Sequence, residues 1–382
     1  GEQLEANTGN RATPVITSFT PTSITAGTNT TLTINGSNFG STQGSGRVRF
    51  WDSNLSNTRF DVDASDIVSW RDTQIEVKVP STTGGGNTAG TGTIQVRNGT
   101  NETGTSSGTL TVQYAHTNIS SSGTKYGPRL VETNNNDGLT FTLSTTICNN
   151  QDAANAFGRA LREWRCVSGV NWVISTTSTS VNSAVDDDIN IVTFDVGTPI
   201  GALGQTTSRY FGCSSNGLHW YLKEVDVNIN NDFTWYYCDS PNPANMPSNS
   251  FDFQSVTFHE LGHAHQLGHI IDASAVMHRS ITNNTIKRVL NANEEAGAAY
   301  VLGLPDNPCG PGPMTPVSPA TCTNMTMPTD CDDAGPCTLS LPVELVAFGG
   351  KAEAAGIALN WSTASEFNNA YFNLERSADA VQ

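Results

Sequence analysis

The sequence predicts a multidomain chain: an all-β sandwich first, an α+β domain second and a truncated all-β segment last. Three observations carry this. Turn residues recur about every ten positions over 13–113, the spacing of short strands in a sandwich. From residue 115 helical periodicity mixes with strand alternation, which indicates helices packed on a sheet. From Leu341 alternation returns. A length of 382 residues fits two or three domains.

Residues 1–12 are polar and read as a flexible N-terminus. Over 13–113, Thr31-Leu32-Thr33-Ile34, Val48-Arg49-Phe50 and the run from Thr73 to Val79 alternate as half-buried strands do. In 115–305 the first helix is NNQDAANAFGRALREWRCVSG, where Ala153, Ala156, Phe157, Ala160, Leu161 and Trp164 follow the i, i+3, i+4, i+7 pattern. Two strands follow, in DDINIVTFDV and KEVDVNINND. A second helix starts near Ser250, and a third, NANEEAGAAYVLG, has Asn and Glu at its start and Gly303 at its end. Residues 306–340 are a Cys/Pro/Gly-rich linker, and 341–382 alternate again.

Only 14% of residues are charged and the net charge is −16, which excludes a nucleic-acid partner that would need a basic patch. No run of about 18 apolar residues exists, so no membrane span is expected. The chain opens at Gly1 with neither initiator Met nor signal peptide, and is read as the mature part of an exported protein. Its cysteines are Cys148, Cys166, Cys213, Cys238, Cys309, Cys322, Cys331 and Cys337, with no CxxC pair. That argues against a zinc ribbon and for disulfides. Cys213 and Cys238 flank a strand and are expected to pair. Cys148–Cys166 is not expected, because a helix of that length spans about 22 Å. The last four are expected to staple the linker.

HELGHAHQLGH, His259 to His269, packs four of the seven histidines into eleven residues. His259 and His263 are four apart, so a helix puts both rings on one face. Two imidazoles on one face are the usual start of a zinc site. Glu260 lies beside the first, off the metal but near enough to take a proton from a zinc-activated water. The pattern is HExxH, a zinc hydrolase signature. Zinc needs a third protein ligand, and a straight helix would carry His269 about 9 Å past His263. The helix must therefore break between them.

The full run resembles the metzincin motif HExxHxxGxxH, with His259, Glu260, His263 and His269 in register. The family's glycine, which turns the chain at positive φ, is Gln266 here, and a glycine falls instead at Gly268. Either Gln266 takes the left-handed conformation, at about 1 kcal/mol, or the turn moves to Gly268. His265 points away from the metal face and is expected at the surface or behind the ligands. The resemblance implies a Met-turn, and ASAVMHRS puts Met277 eight residues after His269, a spacing like that of the matrixins. Arg279 stands where the astacin and serralysin branches carry a Tyr that reaches the metal, so that fifth ligand is absent. His278 is either a pocket-lining or a plain loop residue. AFGRALREWRCVSGVNW, FDFQSVTFHELGHA and NEEAGAAYVLG resemble the first, active-site and last helices of matrixin catalytic domains. This implies a twisted, mostly parallel sheet with an antiparallel edge strand and three main helices. EVDVNINNDFTWYY resembles the edge strand, so Val225, Asp226, Val227, Asn228 and Ile229 are expected to hold an extended substrate. ITSFTPTSITAGTNTTLTINGSNFG resembles the opening of the immunoglobulin-like IPT/TIG module. The segment from Leu341 resembles the first strands of a fibronectin type III-like module found in secreted Bacteroidetes proteins.

These resemblances imply a secreted or cell-surface bacterial zinc endopeptidase acting on extended polypeptides. One catalytic Zn2+ sits on His259, His263 and His269, with Glu260 as general base. A structural Ca2+ is a further expectation, at Asp186, Asp187, Asp188, Asp226 and Asp232 near strand ends. The β modules are expected to contact a cell surface or glycan. The alternative is an adhesion or glycan-binding surface protein whose metzincin-like domain no longer cuts; a third is a zinc hydrolase of non-peptide bonds. No cysteine-switch segment precedes the domain, so a propeptide removed ahead of Gly1 is expected.

Overall fold

The structure is a computed structural model, and it describes residues 12–82, 86–134, 138–195, 198–239, 242–305, 311–325, 327, 343–353 and 356–366. The first nine strands are β1 (Val15–Thr20), β2 (Ser23–Ala26), β3 (Thr31–Ser37), β4 (Arg47–Asp52), β5 (Arg59–Asp61), β6 (Ile67–Arg71), β7 (Gln74–Lys78), β8 (Ala89–Arg97) and β9 (Thr103–Ala115). They form a four-stranded sheet, β1-β3-β7-β6, and a five-stranded sheet, β2-β9-β8-β4-β5. Alternate residues of both sheets, Leu32, Ile34, Ile75 and Val77 from one and Val48, Phe50, Ile94 and Val96 from the other, share one core. That is the two-layer solution for strands apolar on one face only.

A small hairpin, β10 (Ile119–Ser121) and β11 (Thr124–Tyr126), leads into the second region. There the elements run β12 (Leu139–Leu143), α1 (Thr145–Cys148), α2 (Gln151–Ser168), β13 (Trp172–Ile174), β14 (Asn190–Asp195), β15 (Gly204–Ser214) and β16 (Leu218–Asn230). They continue through β17 (Thr234–Tyr236), β18 (Ser250–Asp252), α3 (Phe253–Ala264) and α4 (Ala292–Leu302). The main sheet has the order β13-β12-β14-β16-β15, with only β15 antiparallel. The predicted stripe of α2 is buried along its whole length, and the Trp164 indole donates to the Phe258 carbonyl at 2.8 Å, tying α2 to α3.

The edge-strand expectation is corrected. Val225–Ile229 lie in β16, which pairs with β14 on one side and β15 on the other, and Val225, Val227 and Ile229 are fully buried. The edge strand on this side of the sheet is β15, with β13 at the opposite edge. β15 folds back over β16 through Asn216 and Gly217, both at positive φ, a dipeptide suited to tight hairpins.

The disulfide expectation is also corrected. Cys238 is unpaired and buried beside Tyr236 and Met246. Cys213 is disulfide-bonded but sits at the hairpin tip opposite His219. Most of β16, about 35 Å of strand, lies between that tip and the turn leading to Cys238. Cys148 is disulfide-bonded, and Cys166 pairs with Cys322. The linker is therefore bonded back to α2 through Cys322 rather than stapled to itself there. Arg165 donates to the Cys322 carbonyl at 3.0 Å, and Val317 to that of Gly169 at 2.8 Å. Cys309, Cys331 and Cys337 lie outside the described residues. A hairpin of β19 (Val343–Glu353) and β20 (Gly356–Glu366) ends the described chain, and the rest of the predicted last module falls beyond it. Among the described residues no helix is long and apolar enough to cross a membrane.

The sandwich and the second region touch. β9 packs on α4, with Tyr114 and His116 against Tyr300 at 5.9 and 5.5 Å between ring centres. Residues 115–117 bond to 266–268: Thr117 donates to the Gln266 carbonyl and Gly268 to that of Ala115, both at 2.9 Å.

Candidate metal centre and cleft

The Asp252 carboxylate caps α3, accepting from Ser255 N–H at 2.9 Å, and is held by Arg288 at 2.6 Å. At the other end the helix closes as a Schellman motif. Gln266 N–H donates to His263 O and Leu267 N–H to Gly262 O, both at 2.9 Å. Gln266 takes the left-handed conformation, φ 68°, so the turn stays at the glutamine and does not move to Gly268. Two contacts offset its strain: the buried side-chain amide donates to Ala264 O at 2.9 Å and accepts from the Tyr210 hydroxyl at 2.9 Å. Gly268 serves packing instead, since a Cβ there would meet Ser81 Oγ at 3.1 Å and Ala115 Cβ at 3.3 Å.

The break brings His259, His263 and His269 together. His269 Nε2 lies 3.1 Å from His263 Nε2 and 3.3 Å from His259 Nε2. These contacts are not hydrogen bonds between rings, because each ring proton is engaged elsewhere. His259 Nδ1 faces the Val276 carbonyl at 2.6 Å, His263 Nδ1 the Leu267 carbonyl at 2.9 Å and His269 Nδ1 the Asn54 side-chain oxygen at 3.0 Å. An acceptor at each Nδ1 places the neutral ring's proton there. Three Nε2 lone pairs then converge on one point with no proton between them. Burial strengthens the neutral forms: the His259 pKa falls to about 3, first through burial and then through His263, and that of His269 falls well below its usual range for the same causes. Tetrahedral zinc with bonds of about 2.0–2.1 Å holds its nitrogens roughly 3.3 Å apart, so this donor set fits it and leaves a fourth position open.

Glu260 is buried beside the trio, and burial raises its carboxyl pKa. The Thr206 hydroxyl, from β15, lies 2.7 Å from its Oε2. Met277 is buried under the helix, and the close approach requires Gly262, where a Cβ would meet Met277 Sδ at 2.2 Å. Met277 N–H donates to Glu294 Oε1 at 2.7 Å, and Glu294 is also the N3 residue of the α4 capping box. A cavity of about 430 Å³ opens over the centre, lined by Gly201–Thr206, Phe233, Phe251, Glu260, the three histidines, His278, Arg279, Ile281 and Lys287. His278 thus lines the pocket.

His265 is corrected from the expected surface or near-metal position. It is fully buried, stacked on Trp164 at 5.2 Å and edge-on to Trp172 at 5.6 Å, and burial lowers its pKa to about 4. The aromatic box of α2 and β13 takes the ring as packing.

Of the five acidic residues expected to hold Ca2+, Asp186, Asp188 and Asp226 are ion-paired with cations of the chain, and Asp187 and Asp232 are not among those pairs. Lys223 reaches Asp186 at 2.8 Å and Asp188 at 2.9 Å, and Arg209 reaches Glu224 at 2.5 Å and Asp226 at 2.6 Å. Asn54, Thr206 and Tyr210 escaped sequence reasoning, since nothing in their local patterns marks them. Glu294 was visible, as the cap partner in NANEE.

The chain joins a β-sandwich to a sheet-and-helix unit that holds three converging histidines above a buried methionine, and both regions are similar to known families. Residues 133–301 match the Matrixin family model and residues 14–114 the IPT/TIG domain model, so the chain carries a matrixin-like domain behind an IPT/TIG domain. The matrixin family implies zinc dependence. Over 177 residues the chain is 28% identical to Metalloendoproteinase 1-MMP of Arabidopsis thaliana. The match covers 44% of this chain and 44% of that relative, so the chain spans less than half the relative's length.

Proposed function

We propose that this protein is an exported zinc-dependent endopeptidase that cuts extended polypeptides, with His259, His263 and His269 as zinc ligands and Glu260 as general base. The convergence of three unprotonated Nε2 atoms beside a buried carboxylate carries the reading. When bound, zinc supplies Lewis acidity toward water and the scissile carbonyl. Glu260, its pKa raised by burial, takes the proton of the attacking water and passes it to the leaving amine. The Thr206 hydroxyl fixes one carboxylate oxygen and so orients the other. β15, the edge strand beside the cavity, offers backbone groups to an extended peptide, and its residues Gly204–Thr206 line the cavity. Met277 supports the centre from below.

The Cys166–Cys322 bridge supports export, because such bonds persist in oxidising compartments. A non-cutting, adhesive reading would lean on the glutamine at the family's glycine and on the flanking β modules; φ 68° with two side-chain hydrogen bonds at Gln266 supports an intact turn before His269.

The test is cleavage of casein by the purified chain, by Glu260→Ala and by chelator-treated protein. Cutting should be lost in both controls, by about 10²–10⁴-fold in the variant, with zinc still bound to it. An intact, zinc-loaded chain that leaves casein uncut would defeat the reading.

A further inference from the structure

The His269 acceptor comes from outside the matrixin-like region. His259 and His263 lean on carbonyls of residues 276 and 267, one beside the Met-turn and one just past their own helix. His269 leans on Asn54, 215 residues earlier, in the β4–β5 loop of the sandwich. We propose that the sandwich is a working part of the metal centre, with Asn54 the positioning residue that sets the tautomer and aim of His269.

The amide orientation follows from its other contacts. Asn54 Nδ2 donates to the Gly86 carbonyl at 3.0 Å. A carbonyl only accepts, so the NH2 end must face Gly86 and the oxygen must face His269. The oxygen in turn requires a proton on His269 Nδ1, which leaves Nε2 bare toward the other two histidines. The loop is fixed on both sides. Asn54 N–H donates to Asp52 Oδ1 at 2.9 Å, and Ser53 N–H to the Thr88 carbonyl at 2.8 Å. Further along the loop, Ser56 meets Arg279 at the rim of the cavity. The 115–117 pairing holds the chain just before His269 against the sandwich. A ring following a helix break has no helical neighbour to aim it, so the aim is supplied across the interface. Partners of this kind orient ligating imidazoles and typically change metal affinity by about 10–100-fold.

This inference rests on the zinc reading, and the experiment separates the two. Zinc affinity of the full chain is measured by competition with a chromophoric chelator for wild type, Asn54→Leu, Asn54→Asp and the loop control Leu55→Ala, whose side chain is exposed. Asn54→Leu should bind zinc about 10–100-fold more weakly. Asn54→Asp keeps an acceptor for His269 but forfeits the donation to the Gly86 carbonyl, so it should lose clearly less than Asn54→Leu, and Leu55→Ala should stay within about threefold of wild type. In parallel, long-range 1H–15N spectra of the 15N-histidine-labelled, zinc-free wild type read the His269 tautomer, a measurement independent of whether any variant folds. A proton on Nδ1 is expected. A proton on Nε2, an unchanged affinity in Asn54→Leu, or an equal loss in Asn54→Asp overturns the proposal. Failure of the wild type to bind zinc at all would instead remove the functional reading beneath it.

Discussion

Two groups of ligating side chains in this protein meet the same geometric condition and differ in chemistry. The ligand atoms of His259, His263 and His269 lie within 4.8 Å of one another, and so do those of Asp186, Asp188 and Glu224. In the acidic group two cations and two backbone N–H groups of the chain already engage the carboxylates in part. Lys223 bridges Asp186 and Asp188, Arg209 bridges Glu224 and Asp226, and the Asp187 and Asp188 N–H groups donate to Glu224. In the histidine group every proton points outward to an oxygen and every lone pair points inward. The two groups thus differ in how many of their lone pairs the chain leaves uncommitted.

The largest effect should come from metal stoichiometry. Elemental analysis of His263→Ala should show loss of the bound zinc and of cleavage, while Asp188→Asn should keep both. Zinc lost in the second variant would erase the contrast.

Next comes Arg209→Met. It strands Glu224 and Asp226, both buried, without their cation. Removing one partner of a buried ion pair costs about 3–5 kcal/mol, so urea denaturation should show a loss of that order with zinc stoichiometry intact.

A smaller effect concerns a histidine outside both groups. His116 is buried against Tyr300, with Nε2 near the Pro128 carbonyl at 3.1 Å, and burial lowers its pKa to about 4. The folded chain keeps it neutral where the unfolded chain, titrating near 6.5, takes a proton. Its contribution is therefore whole above about pH 6.5 and lost as pH falls toward 4, on the order of 1–3 kcal/mol. Denaturation curves at pH 7 and pH 4.5 should converge in His116→Phe relative to wild type; an unchanged gap would refute the assignment.

The smallest is Gln266→Gly. Relief of the left-handed strain gains about 1 kcal/mol. Loss of the Tyr210 acceptor and the Ala264 cap costs about 1–3 kcal/mol, so a net loss near 1 kcal/mol is expected, reduced when Tyr210→Phe is added. A net gain would mean that the side-chain contacts carry no weight.

Local patterns in the chain already contained most of the framework. Alternation with regular turns marked the sandwich, and the stripe from Ala153 to Trp164 marked α2. The four-residue spacing of His259 and His263, with Glu260 between, marked one face of α3. These are properties of neighbouring residues, set by periods of two and 3.6. The tertiary structure decided what depends on distant segments meeting. It made β15 rather than β16 the outer strand, because a hairpin turned by Asn216-Gly217 covers β16. It sent Cys166 to Cys322, 156 residues away, and put His265 between two tryptophans. It also gave His269 its acceptor from a loop of the sandwich. Spacing in sequence reports which side chains share a face, whereas a hydrogen bond, a disulfide or a strand edge depends on which face another part of the chain covers.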